Sequence, residues 1–240
     1  MKFEKIECRR TSRSGIPYIK YIFDKRTHCK TVLISHGSAG ITSADLMLVE
    51  ICLDNGMNVI SIDHFTHRGV VSQWWHKIET SPSIYDRLTD VLELVEEEPI
   101  EYIVGLSAGA TTAMMVSGRT GVPAFAIYPS CYPIYESMIR CSKASVMVSG
   151  KYDDWTTIDH ARQVSTMSGI ELLEVDGYHG FMRDGEDRYL DNVLSFKGEL
   201  DTRIYPDSYI PNEPTQRGVN VKYSIPCVEI TLKRFREFLR

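Results

Sequence analysis

Short apolar, β-branched runs alternate along this chain with stretches whose apolar residues recur at helical spacing. Residues 30–35, 57–62, 100–104, 122–128, 144–149 and 170–175 read as strands, nearly continuous in apolar residues. Between them the spacing predicts helices over 43–55, 83–98, 107–118, 157–168 and 225–239, with a short helical piece at 134–140. In the helix at 83–98, Ile84, Leu88, Val91, Leu92 and Val95 share one face and Pro99 stops it. Glu96, Glu97 and Glu98 oppose the helix dipole at its C-terminus, so that end is expected to fray. The last helix puts Val228, Leu232, Phe235 and Leu239 on one face. Residues 2–8 and 17–23 alternate polar and apolar around Ser12-Arg13-Ser14-Gly15, the pattern of a hairpin.

Strands that are apolar throughout and separated by helices predict an α/β fold: a mostly parallel central sheet with helices on both faces. No internal repeat or linker interrupts the alternation, so residues 1–240 read as a single domain. Residues 181–223 are the exception. They are rich in charge, Pro and Tyr without clear periodicity, and read as an irregular lid or interface segment, such as a homodimer contact.

Composition narrows the function classes. The net charge of −5 comes from 27 basic and 32 acidic residues with no densely basic stretch, which disfavours nucleic acid as a partner. The first six residues lack the apolar core of a signal peptide, and no run approaches the ~18 apolar residues of a membrane span. Cys8, Cys29, Cys52, Cys131, Cys141 and Cys227 are scattered without a CxxC pair, as expected of reduced thiols. A soluble, cytoplasmic protein that does not engage membranes is the expectation.

The chemistry centres on Gly105-Leu106-Ser107-Ala108-Gly109, which joins a predicted strand to a predicted helix. A sharp strand-to-helix turn needs small neighbours, lifts the serine out of the sheet, and sets a helix N-terminus beneath it. A nucleophilic serine needs a base and a group to orient that base. The chain order Ser, acid, His of α/β-hydrolases is met by Ser107, then Gly150-Lys151-Tyr152-Asp153-Asp154, then Asp176-Gly177-Tyr178-His179-Gly180. Each of these follows a strand at the same sheet edge.

His179 is the expected base. His28, His36, His64, His67 and His76 precede the serine, and His160, on a helix, suits a solvated or capping role. Asp153 and Asp154 compete for the acid. Asp154 as a cap of the helix at 157–168 is the structural alternative, and Asp176 an outsider. The oxyanion would be met by the N–H groups of Ala108 and, from Ser35-His36-Gly37-Ser38-Ala39-Gly40, of Ser38. That loop lacks the spacing of a nucleotide-binding motif. His64-Phe65-Thr66-His67 has HxxH spacing without a Glu at general-base spacing, so no metal is expected. Trp74 and Trp75 stand in a polar loop, where one of them could wall a substrate pocket.

In order and spacing these pieces resemble the dienelactone hydrolase family of the α/β-hydrolase superfamily. The resemblance runs over residues 30–185: the Ser35–Gly40 loop, Asp63-His64-Phe65-Thr66-His67-Arg68-Gly69, Tyr85-Asp86-Arg87, Gly105–Gly109, Gly150–Thr156 and Tyr178-His179-Gly180-Phe181. It implies a triad whose acid is Asp153, and hydrolysis of small esters or lactones without a cofactor. It also implies arginines that grip a substrate carboxylate, at the positions of Arg68 and Arg183. Two departures stand out: the dienelactone enzymes use a cysteine nucleophile, where this chain has Ser107, and a glutamate in the loop that here reads Ser35-His36-Gly37. A broader esterase follows as the reading. The same triad would serve an acyltransferase or a peptidase or amidase, and a non-catalytic relative would use the pocket only to bind a ligand.

Overall fold

The computed structural model describes residues 6–24, 28–70, 82–185, 187–195 and 216–240. β1 (Ile6–Thr11) and β2 (Pro17–Ile22) form the predicted hairpin, followed by β3 (Thr31–Ser35), α1 (Ser43–Asp54) and β4 (Asn58–Ile62). Then come α2 (Ile84–Glu97), β5 (Tyr102–Leu106), α3 (Ala108–Thr120), β6 (Ala124–Ile127) and α4 (Tyr132–Glu136). The chain continues with β7 (Val146–Gly150), α5 (Ile158–Ser168), β8 (Glu171–Val175), β9 (Arg188–Ser195), β10 (Gln216–Val221) and α6 (Ile225–Phe238). Element boundaries differ from the sequence expectation by a few residues.

The main sheet has the order β1-β2-β4-β3-β5-β6-β7-β8. β1 and β2 are antiparallel additions, and every pair from β4 to β8 is parallel. Because side chains alternate across a strand, the two faces build two cores. Leu33, Ile103, Ala124 and Ala126 point to one face, against α2, α3 and α5. Val32, Ile34, Val104, Phe125 and Ile127 point to the other, against α1 and α6. A sheet covered on both sides explains why β3, β6 and β7 carry no exposed residue. The six cysteines are free thiols, and no helix among the described residues is long and apolar enough to cross a membrane.

The helix α2 follows its sequence pattern. Asp86 Oδ2 accepts from the Ser83 N–H at 2.8 Å, and the Asp86 N–H donates to Ser83 Oγ at 3.1 Å, which closes a capping box. Its stripe of Leu88, Val91 and Leu94 is fully covered, each side chain contributing about 2 kcal/mol by burial. The expected fraying at its acidic end is corrected by the hairpin. Lys20 Nζ and the Tyr18 hydroxyl donate to Glu98 at 2.6 and 3.2 Å, and the Arg13 N–H donates to Glu97 at 2.9 Å. The basic β1–β2 hairpin supplies the countercharge that the helix lacks on its own.

The 181–223 segment is not wholly irregular. β9 and β10 pair as an antiparallel ribbon, Val221 opposite Arg188, with a register shift between Arg217 and Val219. The ribbon stays close to the C-terminal edge of the main sheet, where the Val221 backbone bridges to His179.

Candidate active site

Ser107 sits at the turn between β5 and α3 with φ 52° and ψ −119°, a left-sided conformation that a non-glycine residue adopts only under constraint from its surroundings. The two glycines of the motif make the turn possible. A Cβ on Gly105 would overlap the Gly109 carbonyl, and one on Gly109 would overlap the Ser35 and His36 carbonyls. The helix therefore starts directly against the end of β3, and its first N–H groups, Ala108 among them, lack intrahelical partners.

Around Ser107 the three predicted side chains meet. Ser107 Oγ lies 3.0 Å from His179 Nε2, and His179 Nδ1 lies 2.9 Å from Asp153 Oδ2. Asp153 accepts from the Trp155 and Thr156 N–H groups at 2.9 and 2.7 Å, and from Thr156 Oγ1 at 2.8 Å. These partners assign the imidazole tautomer. Its Nδ1–H faces the carboxylate, so Nε2 carries the lone pair and Ser107 Oγ–H donates to it. Thr156 Oγ1, 3.2 Å from Nδ1, directs its hydroxyl hydrogen at Asp153 Oδ2 and so faces Nδ1–H as an acceptor. Trp155 and Tyr128 pack on the imidazole with ring centroids 4.8 and 4.9 Å away, and Asp153 and His179 are both buried.

Two cavities flank the serine. The smaller, about 50 Å³, is lined by Gly37–Gly40, Asp45, Tyr128, Gly180, Arg183 and Val221. The wider, about 360 Å³, is lined by Ala108, Ser130–Pro133, Thr156 and His160. Ser38, Ser107 and Trp155 line both. The two residues expected to donate to an oxyanion, Ser38 and Ala108, thus stand beside Ser107 at the cavity walls.

Other expectations fall out differently. Asp154 does not cap α5, whose N-cap is Thr157. It accepts from the N–H and Nδ2 of Asn220 at 2.9 and 2.7 Å and ties β10 to the site. His160 is buried against the wider cavity instead of being solvated. Asp176 is taken up at the surface by Lys151 Nζ, 2.9 Å away. Of the two arginines, Arg183 lines the small cavity, and burial and nearby Arg188 lower its guanidinium from the ordinary value. Arg68 puts both terminal nitrogens on Asp90, at 2.8 and 2.9 Å, and one of them on the His64 carbonyl. Trp74 and Trp75 lie outside the described residues.

His64 of the HxxH pair is engaged on both ring nitrogens. Nδ1 meets Asp90 Oδ2 at 2.7 Å and Nε2 meets Ser35 Oγ at 2.9 Å. His36 Nδ1 donates to the Gly37 carbonyl at 2.7 Å, leaving Nε2 to accept from the His64 N–H at 3.1 Å. Burial pushes His64 down to about 4, and burial with the neighbouring His64 and Arg87 pushes His36 well below its ordinary value. Burial alone would raise the Asp90 carboxyl, but hydrogen bonds from His64 and Arg68 outweigh it and hold it at about 2. Both histidines are therefore neutral at pH 7, and Arg68 carries the charge that balances Asp90. Among the described residues no group of three or more His, Cys, Asp or Glu side chains is arranged to hold a metal ion.

Sequence reasoning missed Asp45 and Tyr128, which line the small cavity. Tyr128 follows β6 with φ 43°, a backbone state no residue pattern announces. Asp45 reads in sequence as an ordinary first-turn acid.

No family model matches the chain, and no curated protein matches it. Solved structures do. A provisionally named dienelactone hydrolase from Klebsiella pneumoniae matches over 99% of both chains with a TM-score of 0.67 and 12% identity. The chain has the α/β-hydrolase fold. An esterase from Pyrococcus furiosus, Pf2001, matches over 74% of this chain and 84% of its own, with a TM-score of 0.54 and 17% identity. Est1E from Butyrivibrio proteoclasticus, in a ferulic acid complex, covers 73% and 90% at a TM-score of 0.54 and 13% identity. At such identities the likeness is one of fold.

Proposed function

We propose that this protein is a serine hydrolase that cleaves small carboxylic esters or lactones through an acyl-enzyme. The observation that carries the reading is the hydrogen-bonded chain Ser107–His179–Asp153, at 3.0 and 2.9 Å, on a constrained turn between two cavities. Ser107 Oγ attacks the substrate carbonyl carbon while its proton passes to His179 Nε2. Asp153 holds the Nδ1–H tautomer and stabilises the imidazolium that forms. The N–H groups of Ala108 and Ser38 receive the negative charge that develops on the carbonyl oxygen. Collapse breaks the bond to the leaving oxygen, which takes the proton from Nε2. Water then repeats the sequence on the acyl-enzyme and frees the acid.

The two cavities support a small substrate with unequal arms. Arg183, in the smaller one, is suited to hold a substrate carboxylate, whereas the Arg68 fork is occupied by Asp90. The chemistry needs no cofactor. Six free thiols support a reducing compartment such as the cytoplasm.

The test is intact-protein mass after exposure to a fluorophosphonate. Wild type is expected to gain one adduct, and Ser107→Ala and His179→Ala none. A folded wild type that gains no adduct overturns the hydrolase reading and leaves a ligand-binding protein in its place.

A further inference from the structure

The proposed reaction sorts the two cavities. An ester has an acyl arm and an alcohol arm, and only the alcohol oxygen must take the proton from His179 Nε2 when the tetrahedral intermediate collapses. The alcohol arm therefore leaves on the histidine side of Ser107. His179 lines the small cavity and not the wide one. The same holds for Tyr128, which packs on the imidazole with ring centroids 4.9 Å apart. Ala108, next to the nucleophile in the chain, lines the wide cavity and not the small one. The two spaces differ greatly in size, about 50 against about 360 Å³.

We propose that the substrates are esters of a small alcohol with a bulky, aryl-bearing carboxylic acid, the alcohol held in the small cavity and the acyl group in the wide one. The inference rests on the hydrolase reading and names its substrate class. At roughly 10–15 Å³ for each water-sized unit, the small cavity holds about four such units, enough for methanol to propanol and too few for a ring. The wide cavity has room for a ring, and Trp155, Tyr132, Pro133 and His160 give it flat walls. Trp155 is set in place against the imidazole, 4.8 Å between centroids. A carboxylate held by Arg183 then belongs to the alcohol and not to the acid.

The limit on the alcohol is set by Val221, the last residue of β10. A Cβ on Gly180 would come within 2.7 Å of Val221 Cγ1, so the valine side chain packs directly on the glycine that follows His179. Both residues line the small cavity. This wall does not swing aside alone. The Val221 backbone bridges to His179, the Lys222 N–H donates to the His179 carbonyl at 3.1 Å, and Asn220 donates twice to Asp154 at 2.9 and 2.7 Å. The β9–β10 ribbon, which contributes no group to the chemical steps, thereby caps the leaving-group side of the site.

The experiment compares kcat/KM for two isomers, methyl phenylacetate and benzyl acetate, which carry one phenyl group on opposite sides of the ester. Each value is divided by the rate of hydroxide on the same ester, which removes intrinsic reactivity. Wild type is expected to favour methyl phenylacetate by about tenfold or more. Along methyl, ethyl, propyl and butyl phenylacetate, a fall of about tenfold is expected beyond propyl. Val221→Ala is expected to abolish that fall, and Val221→Leu to move it to a shorter alcohol. Equal rates on the isomers, or a preference for benzyl acetate, overturn the assignment of the arms; in a wild type that takes the fluorophosphonate the hydrolase reading stands. A labelled wild type that cleaves neither isomer likewise overturns the substrate class alone. No cleavage and no adduct overturn both readings together. A fall at the same chain length in wild type and both variants overturns the role of Val221. If neither variant folds, the isomer comparison in wild type decides.

Discussion

Two serine–histidine–aspartate chains run through the described residues. Ser107–His179–Asp153, with distances of 3.0 and 2.9 Å, opens onto two cavities; Ser35–His64–Asp90, at 2.9 and 2.7 Å, is sealed in the core. By hydrogen-bond geometry they are near equals, and both fix the same imidazole tautomer. What separates them is their surroundings. Ser107 stands on a turn with φ 52°, beside a helix N-terminus, with walls of Trp155 and Tyr128. Ser35 is the last residue of β3, with nothing exposed. Asp153 is steadied by the N–H groups of Trp155 and Thr156, whereas Asp90 is neutralised by the Arg68 fork. Three residues in a hydrogen-bonded row are thus a structural motif in one place and suited to chemistry in the other. The inner row also holds the strand end and the His36–Gly37 loop that the outer site relies on.

The comparison breaks most sharply by removing each serine. Ser107→Ala is expected to lower ester turnover by on the order of 10⁴ or more while the fold is retained, as checked by circular dichroism. Ser35→Ala is expected to keep fluorophosphonate labelling at Ser107. Loss of labelling in a folded Ser35→Ala protein would mean that the two rows are not separable.

A smaller effect concerns protons. The folded chain holds His64 at about 4, below the ordinary 6.5. The unfolded chain then binds the proton first, so stability is full above pH 6.5 and falls as pH drops toward 4. Between pH 7 and 5 this group costs about 2 kcal/mol. Asp45 acts in the opposite sense: its folded value of about 6 lies above the unfolded one, so stability rises as pH falls through that range. The His64 contribution is isolated by urea unfolding of wild type and His64→Gln at both pH values. The wild-type loss is expected to exceed that of the variant by about 2 kcal/mol; equal losses would mean that His64 titrates normally.

The smallest expected change is at the rim. Asp154→Ala removes both hydrogen bonds to Asn220 and is expected to cost about 1–2 kcal/mol, with faster amide exchange along β10. Unchanged exchange at Val219–Val221 would detach the ribbon from the site.

Much of the fold was legible in the sequence because the parallel strands are apolar on both faces, which leaves an unambiguous pattern at Val32–Ile34 and Val146–Val148. The GxSxG turn and the chain order of serine, acid and histidine located Ser107 and His179, while the choice of Asp153 over Asp154 came from the family resemblance. The ribbon was not legible. Arg188–Ser195 and Gln216–Val221 mix charge with apolar residues, and the two strands find each other across a long intervening segment. Asp154 and His160 were misplaced because their partners, Asn220 and the wider cavity, come from distant parts of the chain. Asp45 was silent, since its place in the first turn of α1 says nothing of the cavity it lines.

The bridge between His179 and Val221, with the Lys222 N–H on the His179 carbonyl at 3.1 Å, has a consequence in time. During synthesis Ser107, Asp153 and His179 emerge in that order, yet the loop bearing the imidazole gains its last support only when β10 follows. A ribosome stalled before residue 221 carries all three side chains and an unfinished site. The order of the residues along the chain is therefore not the order in which the site is finished: the imidazole arrives before the strand that holds its loop.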